Sequence, residues 1–447
     1  MQPDYKRPEI SLPGEWNQQY SEQTYQNSVG KKEFYTDKNV QAIINIAISN
    51  NSDLKNAALN LKKAQELYSI ERLSLLPSVN VSFTQTSAHE PDGLLDTIDT
   101  GALTYHQYDA KLVSASWELD LWGRLRSLKD SALNDYFAAN ANAQALKLAI
   151  TAQAASSYLT FLAGKENLRL AEKKANNLRT MQSMQASAWQ LGDISQEAVL
   201  SQQAALHRQE QEVAGLRASV QKEYDALQLL LGGSLPARQM NNVAFSAVAD
   251  FSSPPPALPA TVLIHRPDVV AAEFKMKQAN ADIGAARAAF FPAISLTASG
   301  GSSSAELKNL FSPGSATWSF SPNITLPIFN NGRNLANLRA AETAQQIAAT
   351  DYEKVIQQAF RDTSDALAGR LAQRARYDES ESLIAASEKM FKMAQQSAQA
   401  GERSRFDCLD AENNLLDAQR ELTENRLQFL LQEIALNQVL GGRVSSS

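Results

Sequence analysis

FFPAISLTASG, residues 290–300, is where the spacing of apolar residues changes period. Upstream, the run that opens at RPD (266–268) predicts a helix that stops at FFP (290–292). Pro292 ends it because proline lacks a backbone N–H and clashes with the preceding turn. Beyond it, Ile294, Leu296 and Ala298 alternate with Ser295, Thr297 and Ser299, the two-residue period of a strand. A second alternating run follows, with Trp318, Phe320, Ile324, Leu326 and Ile328, and Pro322 is expected to mark a bulge or bend.

The same switch occurs earlier. After Pro77, Val79, Val81 and Phe83 alternate with Asn80, Ser82 and Thr84, and Ala115, Trp117, Leu119 and Leu121 form a second run. The expected strands are therefore about 79–88, 109–121, 293–303 and 316–329. This recurrence is part of a tandem duplication. LLLGG (229–233) returns as QVLGG (438–442), and LGDIS (191–195) returns as AGERS (400–404). Met181 and Met184 return as Met390 and Met393, and Gly123-Arg124 as Gly332-Arg333. The chain divides into an N-terminal extended segment (1–39), a first repeat (40–233), a Pro-rich connector (234–260), a second repeat (261–442) and a tail (443–447). SSPPPALPA (252–260) cannot be helix interior and favours an extended path.

Each repeat opens with a helix, roughly 38–75 in the first copy, and closes with a very long helical pair. No proline interrupts 126–190 or 195–231, and sixty-odd helical residues would span about 90–100 Å. Leu415, Leu422 and Phe429, with Leu409 and Leu416, fall at heptad steps, the mark of coiled-coil packing. Gly192 and Gly401 are expected to turn each long helix back on itself. Strands apolar on one side and Ser/Thr/Asn-rich on the other fit a transmembrane barrel, but periodicity alone favours a sheet packed on helices.

Composition removes several classes. The net charge of −6 carries no basic stripe for nucleic acid. One cysteine, Cys408, excludes an intrachain disulfide, and four scattered histidines lack zinc spacing. No apolar run reaches the eighteen residues of a transmembrane helix. Met1 followed directly by QPDYKRPEI reads as a start placed on a mature chain without a signal peptide. No P-loop, nucleophile elbow or catalytic pair is present, so no enzyme activity and no cofactor are expected.

Taken together, WELDLWGRLRS (117–127), ALQLLLGG (226–233), RPDVVAAE (266–273), IGAARAAFFPAISLT (283–297), LPIFNNGRN (326–334), AGERSRFDCLDAE (400–412) and ALNQVLGG (435–442) resemble the TolC-like outer-membrane efflux proteins. The resemblance covers essentially the whole chain, and is nearest to the lipoprotein branch that includes CusC and OprM. It implies an α+β membrane protein built from a duplicated helix–strand–strand–long helical hairpin unit. Three copies would form a 12-stranded β-barrel continued by a periplasmic α-helical barrel, with the connector in an equatorial belt. It implies a passive exit duct of a tripartite pump for drugs or metal ions. The expected partners are a periplasmic adaptor, an inner-membrane transporter of the RND type and outer-membrane lipid. That branch begins with a lipidated cysteine before a run like Pro3-x-Tyr5-x-Arg7-Pro8; the cysteine is absent here. A type I protein-secretion duct and a non-pore coiled-coil protein are the alternatives.

In the closing helix, Asp407, Asp410, Asn414, Asp417, Glu421, Glu424 and Gln428 follow steps of three and four, so they share one face. The first repeat has Ala198, Ser201, Ala205, Arg208, Glu212, Gly215 and Ser219 at the same places. A charge run is ordinarily a solvated face, but solvation alone does not ask for a row of acids in one copy and a single acid, Glu212, in the other. The resemblance implies that Asp407 and Asp410 line a gated periplasmic constriction, with Arg403 in the network that holds it closed. It also places adaptor docking at the hairpin tips, Gly192, Asp193, Gly401 and Glu402. Met181, Met184, Met390 and Met393 are read as packing residues rather than a Cu(I) site, and no metal site is expected.

Overall fold

The computed structural model describes residues 2–8, 34–90, 103–234, 243–251 and 260–442. Most of the N-terminal segment, most of the Pro-rich connector and the 443–447 tail lie outside them. The principal elements run α1 (Lys38–Asn50), α2 (Ser52–Leu73), β1 (Val79–Glu90), β2 (Leu103–Glu118), α3 (Arg124–Gln190), α4 (Gln196–Leu231), α5 (Pro267–Ala288), β3 (Ala293–Ser304), β4 (Ala316–Thr325), α6 (Arg333–Gln399) and α7 (Arg405–Val439). The helix–strand–strand–long hairpin order occurs twice. None of these helices is long and apolar enough to cross a membrane.

The chain forms two compact units, each drawing on both repeats. One comprises Met1–Glu9, Asn60–Asn140 and Ala271–Glu353; the other comprises Ile10–Leu59, Ala141–Val270 and Lys354–Ser447.

The first unit holds an antiparallel sheet in the order β1-β2-β3-β4. Its apolar face is bare: Val79, Val81, Phe83, Leu112, Trp318, Phe320 and Ile324 are all exposed. A sheet packed on helices would have buried these side chains, so the packed-sheet alternative is set aside. The register shifts between Ser114 and Trp117, whereas Pro322 pairs with Leu296 without interruption. The bulge is thus in β2 and not at Pro322, where one missing N–H leaves the pairing of β4 with β3 in register. β2 also ends earlier than expected, because Asp120 leaves the sheet to cap α3. Its carboxylate accepts from the Leu125 and Arg126 amides at 3.1 and 2.9 Å. β4 ends at Thr325, just before Pro327 would remove a ladder donor.

A short N-terminal strap lies on α5 in the same unit. Asn280 Nδ2 donates to the Pro3 carbonyl at 2.9 Å, and Arg7 Nη2 meets Glu273 Oε2 at 2.6 Å. Gly284 lets Gln2 approach: a Cβ there would lie 2.5 Å from Gln2 Cγ.

The second unit has the main apolar core. α1 buries Val40, Ile43, Ile44 and Ala47, one helical stripe, against Tyr158, Leu159 and Leu162 of α3, Leu227 and Leu231 of α4, and Leu430 and Ile434 of α7. Each buried Val or Ile contributes about 1.5–3 kcal/mol. The single opening helix expected over 38–75 is instead two. Asn51 breaks it at φ −57°, ψ 131°. Its amide donates to Ala47 O at 2.9 Å, and its side chain accepts from the Asp53 and Leu54 amides at 2.9 and 3.2 Å. The side-chain amide donates to Leu230 O at 3.0 Å. One asparagine therefore ends α1, caps α2 and ties both to α4.

Asn51→Ala should lower stability by roughly 1–2 kcal/mol, since it removes the cap and orphans a buried carbonyl. Thermal melting of the detergent-solubilised protein, compared with Asn45→Ala at an uncapped position of α1, measures this.

Candidate functional site

The candidate site is built from the ends of two helical hairpins in the second unit. α3 ends in a turn at Gly192 (φ +83°), and α6 in a turn at Gly401 (φ +78°). At these positive φ values glycine avoids the strain of a side chain. The turns close alike: the Asp193 amide donates to Ala188 O and the Glu402 amide to Ser397 O, both at 2.9 Å. Ser195 and Ser404 then cap the returning helices α4 and α7. Gly192, Asp193, Gly401, Glu402 and Arg403 are all exposed.

The two caps differ in one respect. Ser195 accepts from the Ala198 amide at 3.3 Å and receives nothing back. Ser404 accepts from the Asp407 amide at 3.1 Å, while Asp407 Oδ2 accepts from the Ser404 amide at 3.2 Å and its hydroxyl at 2.8 Å. This is a reciprocal capping box. Asp407 therefore has a local structural task, legible as Ser-x-x-Asp, that the sequence reading did not assign. Asp410, one turn on, has no hydrogen-bond or ion-pair partner among the described residues, and neither has the Arg403 guanidinium.

The acidic stripe stands on one exposed side of α7: Asp407, Asp410, Asn414, Asp417, Glu421 and Glu424 are all exposed. Buried Leu416, Thr423, Leu427 and Leu430 lie off it. Part of the stripe is paired, which the sequence could not reveal across more than 200 residues. Lys174 of α3 places Nζ 2.7 Å from both oxygens of Asp417. Beside the stripe, Lys173 meets Glu412 at 2.7 Å, and Arg420 meets Glu212 of α4 at 2.6 Å. Asn177 donates to Glu412 Oε2 and Asn413 Oδ1, each at 3.1 Å. Near the tip, Leu178, Met181 and Leu206 form a small core with Phe406 and Leu409. Asn413 Nδ2 donates to Met181 Sδ at 3.4 Å, so Met181 is a packing residue; Met390 and Met393 are exposed. No cluster of three or more His, Cys, Asp or Glu side chains able to hold a metal occurs among the described residues.

Higher on the stripe, Glu424 influences a carboxyl on α4. Glu223 Oε2 is buried without a hydrogen-bond partner, seated over Gly164 of α3, where a Cβ would lie 2.6 Å away. Burial pushes the Glu223 carboxyl up, and the Glu424 carboxylate pushes it the same way. A carboxyl held above its ordinary range opposes folding wherever it is ionised, and has no effect once folded and unfolded states are both protonated. Glu223→Gln should thus raise the melting temperature at pH 7, and the gain should vanish below about pH 4. Paired melts at the two pH values check it.

The profile of the outer membrane efflux protein family matches residues 43–233 and 258–442. The solvent efflux pump outer membrane protein SrpC of Pseudomonas putida is 35% identical over 453 residues, covering 100% of this chain and 95% of that protein. The open-state MtrE outer membrane channel of Neisseria gonorrhoeae superposes with a TM-score of 0.85 at 31% identity, covering 100% of this chain and 98% of that one. The channel-forming protein CusC superposes with a TM-score of 0.83 at 29% identity, covering 99% of each chain. The chain belongs to the outer membrane efflux protein family. Its place is the outer membrane, and its work is efflux rather than catalysis.

Proposed function

We propose that this chain is the exit channel of a tripartite efflux pump, working as a homotrimer with a gated periplasmic end. The observation that carries the reading is the bare apolar face of the sheet, backed by a hydroxyl-rich face. β1 and β4 each keep one edge unpaired among the described residues, and hydrocarbon offers no water to satisfy it. Three copies edge to edge would close twelve strands into a barrel. The apolar face then meets lipid and the hydroxyl face lines a passive, water-filled duct.

The long hairpins would continue the duct into the periplasm. A periplasmic adaptor would dock at Gly192, Asp193, Gly401 and Glu402, and an inner-membrane transporter, of the RND type, would supply the energy. Native lipidation at the N-terminus would add an anchor in the outer membrane. SrpC is named as part of a solvent efflux pump; apolar organic solutes are accordingly the favoured cargo over metal ions. The fold boundaries that follow are those of the two repeats, 40–233 and 261–442, joined by a belt connector at 234–260.

At the gate, Asp410 would present a ring of three unpaired carboxylates, while Asp407 shares its charge with the helix cap. Clustered carboxylates at an aqueous axis favour cations. Closure would rest on the α3–α7 pairs, Lys173–Glu412 and Lys174–Asp417, and on Arg403 meeting a neighbouring copy. Opening would be a shift between closed and open populations biased by the adaptor.

Single-channel recording tests this reading. Asp410→Asn should lower the cation-to-anion permeability ratio by about twofold or more, with little change in melting temperature. Asp407→Ala should do the same and also destabilise, by about 1 kcal/mol, through the lost cap. Unchanged selectivity in both variants would remove the carboxylates from the gate; trimers that insert but never conduct, even with the adaptor bound, would remove the channel itself.

A further inference from the structure

The register of the sheet sorts its side chains into two faces, and the polar one is nearly free of charge. On the outward face one row reads Val81–Leu112–Gly300–Trp318. On the opposite face the rows read Ser82–Lys111–Gly301–Thr317, then Thr84–Asp109–Ser303, then Thr86–Gln107. The neighbouring positions are Asn80, Val113, Ser299 and Ser319. From the β2 bulge to Thr104, Asp109 and Lys111 are the only ionised side chains among the described residues of that face. Glu118, on the other side of the bulge, is occupied by Arg124, whose Nε and Nη2 lie 2.8 and 2.5 Å from its oxygens.

Asp109 and Lys111 form a built pair. Two residues apart on one strand, they point to the same side, with Lys111 Nζ 2.7 Å from Asp109 Oδ1. Gln107 Nε2 lies 3.1 Å from both Asp109 oxygens and 3.3 Å from Ser303 Oγ of β3. Beside Lys111 stands Gly301, where a Cβ would lie 2.1 Å from the Ala110 carbonyl oxygen and 2.7 Å from Lys111 Cα. Only glycine fits, so no side chain from β3 covers the lysine. Ordinary barrel packing does not call for an ion pair on a hydroxyl-lined face, because a serine or threonine satisfies every partner present.

We propose that Asp109 and Lys111 are a charge-balanced girdle in the outer section of the pore, each cancelling the charge of the other. The inference rests on the channel reading above. Three copies would carry three carboxylates and three ammonium groups at one level of the lumen. Paired, they present dipoles whose field fades within a few ångströms, so this section passes solutes of either sign and leaves charge selection to the acidic end of α7. Unpaired, either partner would present three like charges, within about one Debye length of every permeating ion at 0.1 M salt.

Reversal potentials of single channels in a planar bilayer under a KCl gradient test the girdle. Only inserted, conducting molecules are read, so a variant that folds poorly lowers the event count without distorting the result. Asp109→Asn should shift the reversal potential toward anion preference, by about twofold or more in permeability ratio, and Lys111→Gln toward cation preference by a similar factor. The double variant Asp109→Asn/Lys111→Gln should return to the wild-type value. Wild-type channels whose selectivity is unmoved by both single changes overturn the girdle and leave the channel reading standing. Wild-type trimers that insert and carry no current even with the periplasmic adaptor bound overturn the channel reading and the girdle with it.

Discussion

A β-sheet that presents an apolar face to hydrocarbon must not leave a backbone edge open. Each unsatisfied N–H or C=O costs several kcal/mol where no water is at hand. This chain supplies four strands whose two outer edges find no partner among the described residues. That deficit explains features that look wasteful in a monomer. In the proposed trimer the exposed Val81, Phe83, Trp318 and Ile324 would be the lipid surface, and the edges of β1 and β4 would be mutual halves of a joint between copies. A twofold repeat then makes sense, because each copy of the unit contributes one hairpin and one long helical pair, and neither hairpin alone could hold a barrel wall.

Duplication also gives an internal comparison. What the fold demands is kept in both copies: Gly192 and Gly401 at the turns, Ser195 and Ser404 as caps. What the fold does not demand has diverged. Ala198 in one copy is Asp407 in the other, and Arg208 is Asp417. The consequence at the second tip is a helix start fastened from both sides, followed by a row of carboxylates partly held by lysines of α3. Two tips with one backbone geometry thus offer two chemistries.

Much of this is legible in the sequence because it is local. Pro77 and Pro292 announce the change from helix to strand, and alternation from Val79 and Ile294 sets the faces. The glycine turns follow from the need for positive φ. What could not be read depends on distant partners. Asn51 looks like an ordinary helical residue until Leu230 is placed against it, and Lys174 gives no sign of Asp417. Pro322 reads as a bulge in the sequence, yet one missing N–H leaves the β3–β4 register unbroken. Asp407 is a different case: its Ser-x-x-Asp cap was local and readable, but its place in a longer acidic row drew attention away from the cap. Glu223 lies between these cases, because its buried state depends on Gly164 on the neighbouring helix.

The N-terminal strap has a mechanical consequence. As the chain runs from Gln2 to Arg7, its partners on α5 run the other way, from Gly284 through Asn280 to Glu273. The strap therefore lies along the helix and not across it. A pull on the N-terminus directed along α5 loads these attachments simultaneously, in shear, whereas a sideways pull peels them one by one. Tension along the helix axis would be shared by the whole strap, so its contacts with α5 would give way together and not in sequence.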